Sequence, residues 1–107
     1  MNAMSSLRIT HFVENMERGG LERAVIDLIA AQREAGHECR LVCLFGRGIL
    51  ADELSASGVS VEICDKRPGS DFRALRRARD LLRGGGFLHP HHASAPYPAV
   101  LASAVLP

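Results

Sequence analysis

The apolar and polar residues of the chain form two recurring patterns. In the first pattern, apolar residues follow one another almost without interruption, which is typical of parallel strands that are buried on both faces. Residues 41–45, Leu-Val-Cys-Leu-Phe, show this pattern most clearly. The apolar runs predict four strands, at residues 7–13, 39–45, 59–64 and 87–89.

In the second pattern, apolar residues recur every three or four positions, as they do on one face of a helix. Residues 21–35 follow this spacing, and Gly36 comes next as a residue that can end a helix in the left-handed conformation. Asp71 can cap the start of another helix with its carboxylate. The spacing predicts helices at residues 21–35, 49–57, 71–83 and 94–106, the last with Pro96 and Pro98 in its first turn.

The alternation of strands and helices predicts an α/β fold with a parallel sheet and right-handed crossovers. In such a sheet, ligands bind beyond the carboxyl ends of the strands, near the point where the strand order reverses. The loops at those ends are residues 14–20, 46–48, 65–70 and 90–96. The unusual residue clusters of the chain lie in these loops, so we expect a binding site at this edge.

The loop at residues 14–20 carries a Gly-Gly pair, Gly19 and Gly20, directly before the first predicted helix. Glycine lets a backbone approach a ligand closely, and the start of a helix presents unpaired N–H groups and the positive end of its dipole. Together these features are suited to hold a phosphate. The alternative is a tight turn in which glycine serves only the backbone.

Composition limits the possible functions. The chain has 107 residues, the usual size of one domain, and its apolar fraction of 47% suits a globular core. Its net charge of +1 argues against a dedicated nucleic-acid-binding protein. The three cysteines, Cys39, Cys43 and Cys64, lie in apolar runs without CxxC spacing, which indicates reduced core residues. With no signal peptide and no membrane-spanning run, we expect a cytoplasmic protein.

The basic residues are concentrated in one segment. Residues 66–83 hold seven of the 13 lysines and arginines, and the predicted helix there has an apolar stripe on its other face. The arginines therefore form either a solvated outer face or a surface that meets an anionic membrane. Nucleic acid is a poor partner for this segment, because no aromatic platform is interleaved with the charges.

A second cluster consists of His89, His91 and His92. It has three interpretations: part of a sugar-binding site, a solvated loop, or a metal site. The metal site is the least favoured, because no cysteine or carboxylate lies nearby in the sequence. The remaining histidines, His11 and His37, are interpreted as structural.

Several of these segments together resemble the amino-terminal domain of the retaining glycosyltransferases of family 4. The resemblance rests on residues 9–23, ITHFVENMERGGLER, followed by residues 34–38, EAGHE. Three further segments match in order: VCLFGRG at residues 42–48, DKRPG at residues 65–69 and LHPHHASA at residues 88–95. The resemblance extends from about residue 7 to residue 107.

This resemblance implies a Rossmann-like domain of the two-domain GT-B arrangement, in which the amino-terminal domain binds mainly the acceptor and the carboxyl-terminal domain the nucleotide-sugar donor. By position, Gly19 and Gly20 match the loop beside the donor diphosphate, flanked by Glu14 and Arg18 as substrate-binding residues. His91 matches a histidine that contacts the donor sugar near the reacting carbon.

Lys66 and Arg67 fall in a loop that could meet an anionic acceptor or lipid headgroup. The implied reaction moves a sugar from a nucleotide-sugar to a sugar or lipid-linked acceptor. It needs no metal or other cofactor, since protein groups stabilise the leaving diphosphate. An enzyme with a lipid-linked acceptor would lie in the cytoplasm, peripheral to the inner membrane.

The chain departs from the family pattern in two respects. Residues 1–107 cover about four strands of the amino-terminal domain and none of the carboxyl-terminal donor-binding domain, so we expect no turnover by this chain alone. In addition, Pro90 stands between the histidines and is expected to remove a hydrogen-bond donor from a central strand.

Two other functions are left open by the sequence. The first is a non-catalytic binding or assembly module that pairs with itself or a partner through an exposed sheet edge. The second is a nucleotide-binding response domain of flavodoxin-like type. That fold suits the alternation of strands and helices, but it calls for clustered acidic residues after the first strand, where only Glu14 and Glu17 stand.

Overall fold

The computed structural model describes residues 6–14, 20–46, 48–67, 71–83 and 86–91. Its strands are β1 (Arg8–Val13), β2 (Glu38–Cys43), β3 (Ser60–Ile63) and β4 (Phe87–Pro90). Its helices are α1 (Gly20–Glu34), α2 (Gly48–Ala56) and α3 (Phe72–Leu82). The four strands and three of the helices therefore lie where the sequence predicts them, within two residues. The helix predicted at residues 94–106 lies outside the described residues.

The strands form one parallel sheet in the order β3-β2-β1-β4. The chain builds the sheet outward from β1 to β3 and then returns to place β4 on the other side of β1. The strand order therefore reverses between β1 and β4, where Ile9 pairs with Cys39 on one side and with Phe87 on the other. This confirms the predicted α/β, Rossmann-like fold, with helices on both faces of an all-parallel sheet.

The sheet divides the core into two layers, because successive side chains of a strand point to opposite faces. Helices α1 and α2 cover one face, where the buried residues are Ile9, Val13, Val25, Ile26, Ile29, Cys39, Leu41, Cys43, Leu50, Ala51, Leu54 and Val59. Helix α3 covers the other face, where they are Phe12, Val42, Leu44, Cys64, Ala74, Ala78 and Leu82. Residues 9–13 of β1 are all buried, and two of them, Thr10 and His11, are polar.

The helix ends follow the predicted signals. Gly36 has a φ of 94°, and it closes α1 with hydrogen bonds from Gly36 N to Arg33 O and from His37 N to Gln32 O, both 3.0 Å. These two bonds satisfy carbonyl groups that the end of a helix leaves without a partner. At the start of α3, the Asp71 carboxylate accepts hydrogen bonds from the backbone N–H groups of Ala74 at 3.1 Å and Arg67 at 2.9 Å. These bonds hold the pKa of Asp71 below its usual range.

The turn into β4 explains Gly86, the last of three consecutive glycines at residues 84–86. Gly86 has a φ of 84°, and a Cβ atom at this position would overlap the backbone carbonyl oxygen of Arg8. The chain can therefore bring β4 against β1 only if this residue has no side chain. Gly86 is thus required by the fold.

The expectation that Pro90 removes a hydrogen bond from a central strand is wrong for the described sheet, in which β4 lies at the edge. The backbone N–H of His91 donates to Phe12 O at 3.0 Å. Because successive backbone nitrogens of a strand point in opposite directions, the nitrogen of Pro90 faces away from β1. The proline therefore leaves the β1–β4 ladder intact, as is usual for proline in an edge strand.

All three cysteines are free and buried, as predicted. Burial raises the pKa of the Cys64 thiol to about 11 and also raises the pKa of Cys39. Because the thiolate is the reactive form, these residues are packing groups. None of the helices in the described ranges combines the length and the apolar character that crossing a bilayer requires.

Candidate functional site

The carboxyl ends of the four parallel strands meet at one edge of the sheet, and most of the predicted site residues lie there. Glu14 follows β1, and its carbonyl oxygen accepts a hydrogen bond from Phe45 N at 2.8 Å. Gly20 is the first residue of α1, and His91 directly follows β4. The structure therefore places Glu14, Gly20 and His91 at the edge where ligands bind in open α/β sheets.

Glu14 and Gly20 belong to the segment that follows β1, and His91 to the segment that follows β4. These two strands are neighbours, about 4.8 Å apart, and the strand order reverses between them. Glu14 and His91 thus flank the topological switch point. Arg18 and Gly19, which the sequence places in the same loop, lie outside the described residues.

Gly20 is exposed, and a Cβ atom added to it would meet nothing within 4 Å. Packing among the described residues therefore does not require glycine at this position, in contrast to Gly86. Gly20 also opens the 15-residue helix α1. The N–H groups of its first turn lack partners within the helix, and the positive end of the helix dipole lies at this point.

Lys66 and Arg67 follow β3, on the far side of β2 from Glu14. The backbone N–H of Lys66 donates to Leu44 O at 2.9 Å, and its ammonium lies 5.4 Å from the centre of the Phe45 ring. Both residues are therefore at the predicted edge, but two strands, β2 and β1, lie between them and His91. The structure assigns the basic loop and the β1–β4 switch point to different parts of the same edge.

From the sequence, His11 is interpreted as structural, but the structure places it beside His89 and His91. It is fully buried in β1, and its Nδ1 atom lies 2.8 Å from Nε2 of His91. Its Nε2 atom lies 2.7 Å from Oε1 of Gln32 in α1. Burial lowers the pKa of His11, an effect only partly offset by the Gln32 hydrogen bond, so the neutral imidazole is favoured.

His89 completes a cluster of three imidazoles. It pairs with His11 in the β1–β4 register, and its ring centre is 5.2 Å from that of His11 and 4.3 Å from that of His91. The signal for this cluster was present in the sequence, since His89 and His91 are two residues apart at the end of the predicted fourth strand. The contribution of His11 could be recognised only once β1 was known to be the neighbour of β4.

Helix α3 presents its predicted basic face to solvent. Arg77 pairs with Glu62 at 3.3 Å, and Arg79 with Asp80 at 3.2 Å. Arg73 and Arg76 are exposed, and Phe72, at the start of the helix, is 76% exposed. The face thus combines cationic groups with an exposed aromatic ring.

Comparison with known proteins gives one family. The model described as Glycosyltransferase Family 4 matches residues 18–107. No curated protein matches the chain. No solved structure matches it either.

Proposed function

The chain belongs to glycosyltransferase family 4, and we propose from this that it forms the acceptor-side domain of an enzyme that transfers a sugar from a nucleotide-sugar to a sugar or lipid-linked acceptor. One observation carries the proposal. The segment that begins at Glu14 and ends at Gly20, and the segment that begins at His91, flank the point where the strand order reverses. Ligands of open α/β sheets bind in the crevice at such a point.

In this proposal, the start of α1 faces the diphosphate of the donor. Cleaving the bond between the sugar and the diphosphate places negative charge on the leaving group, and preorganised N–H groups stabilise that charge. The start of a helix supplies such groups together with a favourable dipole. Gly20 lets the diphosphate approach the backbone, while Glu14 and His91 contact the transferred sugar from either side of the crevice.

Replacing Gly20 by alanine tests this arrangement. The added methyl group meets no atom of the described residues within 4 Å, so we expect an unchanged melting temperature. Losing one backbone hydrogen bond to a charged group costs about 1.5–3 kcal/mol, and nucleotide-sugar binding should weaken roughly tenfold or more. Line broadening of the diphosphate ³¹P signals of UDP-glucose, GDP-mannose and ADP-glucose, titrated with the chain in the presence of EDTA, measures this change.

Arg33→Lys is the matched control, because Arg33 lies near the other end of α1 and donates to Ser57 O. It should leave the line broadening as in the wild type. Equal broadening by the wild type and by Gly20→Ala would contradict the proposed role of the helix start. A loss of broadening together with a lower melting temperature would instead assign Gly20 to the fold.

We propose that α3 rests on an anionic membrane surface and brings the domain to a lipid-linked acceptor. Its exposed residues Phe72, Arg73 and Arg76 are of the types that bind the interface between lipid headgroups and water. Lys66 and Arg67 would then meet the anionic headgroup of the acceptor.

Reversing one charge on this face should weaken membrane binding. Each basic residue near an anionic surface contributes about 1 kcal/mol, so Arg76→Glu is expected to reduce binding to vesicles containing phosphatidylglycerol about tenfold or more. Co-sedimentation with the vesicles measures it. Arg8→Glu makes the same change of charge at the amino end of β1 and should bind as the wild type does. Equal losses in the two variants would show an effect of net charge and would contradict a specific surface on α3.

A further inference from the structure

The three histidines at the β1–β4 boundary have the arrangement of a metal site. His89 lies in β4 and His91 directly follows it. His91 N still donates to Phe12 O of β1, so the side chains of these two histidines, two residues apart, lie on the same face of the sheet. His11 pairs with His89 across the ladder and lies on that face too. One ring nitrogen from each of the three residues lies within 4.8 Å of the other two.

The hydrogen bonds of His11 leave its Nδ1 atom able to bind a cation. The Gln32 amide oxygen, 2.7 Å from His11 Nε2, is an acceptor, and it also accepts a hydrogen bond from the Cys39 thiol at 3.4 Å. His11 Nε2 therefore carries the proton of the neutral ring. Its Nδ1 atom keeps a lone pair, which is directed at His91 Nε2.

The hydrogen bond from His11 Nε2 to Gln32 is of the kind that metal-binding histidines usually make. A histidine ligand generally donates its second ring N–H to an oxygen, which fixes the tautomer and the orientation of the ring. Gln32 provides that oxygen from α1, on the same side of the sheet as the cluster. The support for a ligand ring is thus in place at His11, the buried member of the three.

Little movement of His11 and His91 is needed to admit an ion between them. Zn–N bonds of about 2.0–2.1 Å at a tetrahedral angle hold two ligand nitrogens about 3.3 Å apart. His11 Nδ1 and His91 Nε2 are 2.8 Å apart, so they must separate by about 0.5 Å. His91 would carry its proton on Nδ1 instead of Nε2, a change of tautomer that leaves the ring neutral.

We propose that His11, His89 and His91 bind one divalent ion of zinc or a similar transition metal, which links the edge strand β4 to β1. Three imidazoles without a carboxylate or thiolate favour Zn²⁺, Co²⁺, Ni²⁺ or Cu²⁺ over Mg²⁺ and Ca²⁺, which prefer oxygen ligands. Three protein ligands leave a fourth position for water. His89 is exposed and gives the ion access from solvent.

The site goes beyond the proposed sugar transfer and shares one residue with it. Both proposals use His91, so each is tested without the ligand of the other. Zn²⁺ binding is measured without nucleotide-sugar, and nucleotide-sugar binding is measured with EDTA. A failure of either proposal therefore leaves the other standing.

Calorimetric titration of the untagged, EDTA-treated chain with Zn²⁺ tests the site. We expect one Zn²⁺ ion per chain, and a rise in melting temperature when it binds. Removing only an outer partner of a metal ligand already weakens affinity about 10- to 100-fold. His89→Gln and His91→Gln, which each remove a ligand itself, should therefore weaken binding at least about tenfold.

His37→Gln is the matched control, since His37 precedes β2 at the opposite edge of the sheet and accepts a hydrogen bond from Leu7 N. It should bind Zn²⁺ as the wild type does. Because His89 is exposed, we expect His89→Gln to fold. Its melting temperature without metal, compared with that of the wild type, checks this. Zn²⁺ binding that is absent from the wild type, unchanged in His89→Gln, or lost equally in His37→Gln would overturn the proposal.

Discussion

Replacing Phe12 by alanine is expected to lower the free energy of unfolding by about 3–5 kcal/mol, the usual cost of removing a buried phenylalanine. Phe12 is fully buried in β1 and packs in the layer beneath α3. Its ladder partners lie on both sides, Val42 in β2 and Pro90 in β4. Few neighbours can move inward to fill the cavity, because the residue lies between two paired strands. Urea denaturation followed by circular dichroism measures the change.

The chain offers a matched control for this loss. Phe72 is 76% exposed at the start of α3, so Phe72→Ala should change the free energy of unfolding by no more than about 0.5 kcal/mol. A similar, small effect of both substitutions would show that Phe12 is not in the core and would contradict the two-layer arrangement.

Replacing Gly86 by alanine is expected to cost about 2–5 kcal/mol. A non-glycine residue with positive φ costs about 1–2 kcal/mol, and overpacking costs a further 1–3 kcal/mol or so. Gly86 has a φ of 84°, and its added Cβ would also lie 2.9 Å from Arg8 Cβ. The melting temperature should fall by roughly 8 °C or more, because β4 could then pair with β1 only if Arg8, the first residue of β1, moved.

Gly20→Ala serves as its control, since it makes the same substitution where a Cβ atom has open space. Differential scanning calorimetry of the two variants separates a glycine required by the fold from one that is not. Equal melting temperatures would mean that the turn before β4 does not approach Arg8 as described.

The sequence predicted the elements well because each carries a local signal. Runs of mostly apolar residues indicated the four strands, and Gly36 and Asp71 marked a helix end and a helix start through local backbone hydrogen bonds. Each of these features depends on residues a few positions apart, so the chain reveals it without knowledge of the fold.

What the sequence did not predict depends on which strands are neighbours. No local pattern says that β4 pairs with β1, and this pairing sets His11 beside His89 and His91. It also explains Gly86, whose missing side chain makes room for Arg8, and Pro90, whose nitrogen faces away from the ladder. For the same reason, the sequence could not show that Lys66 and His91 lie three strands apart.

The central claim is that the switch point between β1 and β4 binds a nucleotide-sugar. The most direct measurement is a map of backbone amide shifts in the ¹⁵N-labelled chain, titrated with UDP-glucose, GDP-mannose and ADP-glucose in the presence of EDTA. We expect the largest shifts at Glu14, Gly20 and His91, at the carboxyl edge of the sheet. Shifts confined to the opposite edge, at Arg8 and Gly36, or no shifts with any of the three nucleotide-sugars, would contradict the claim.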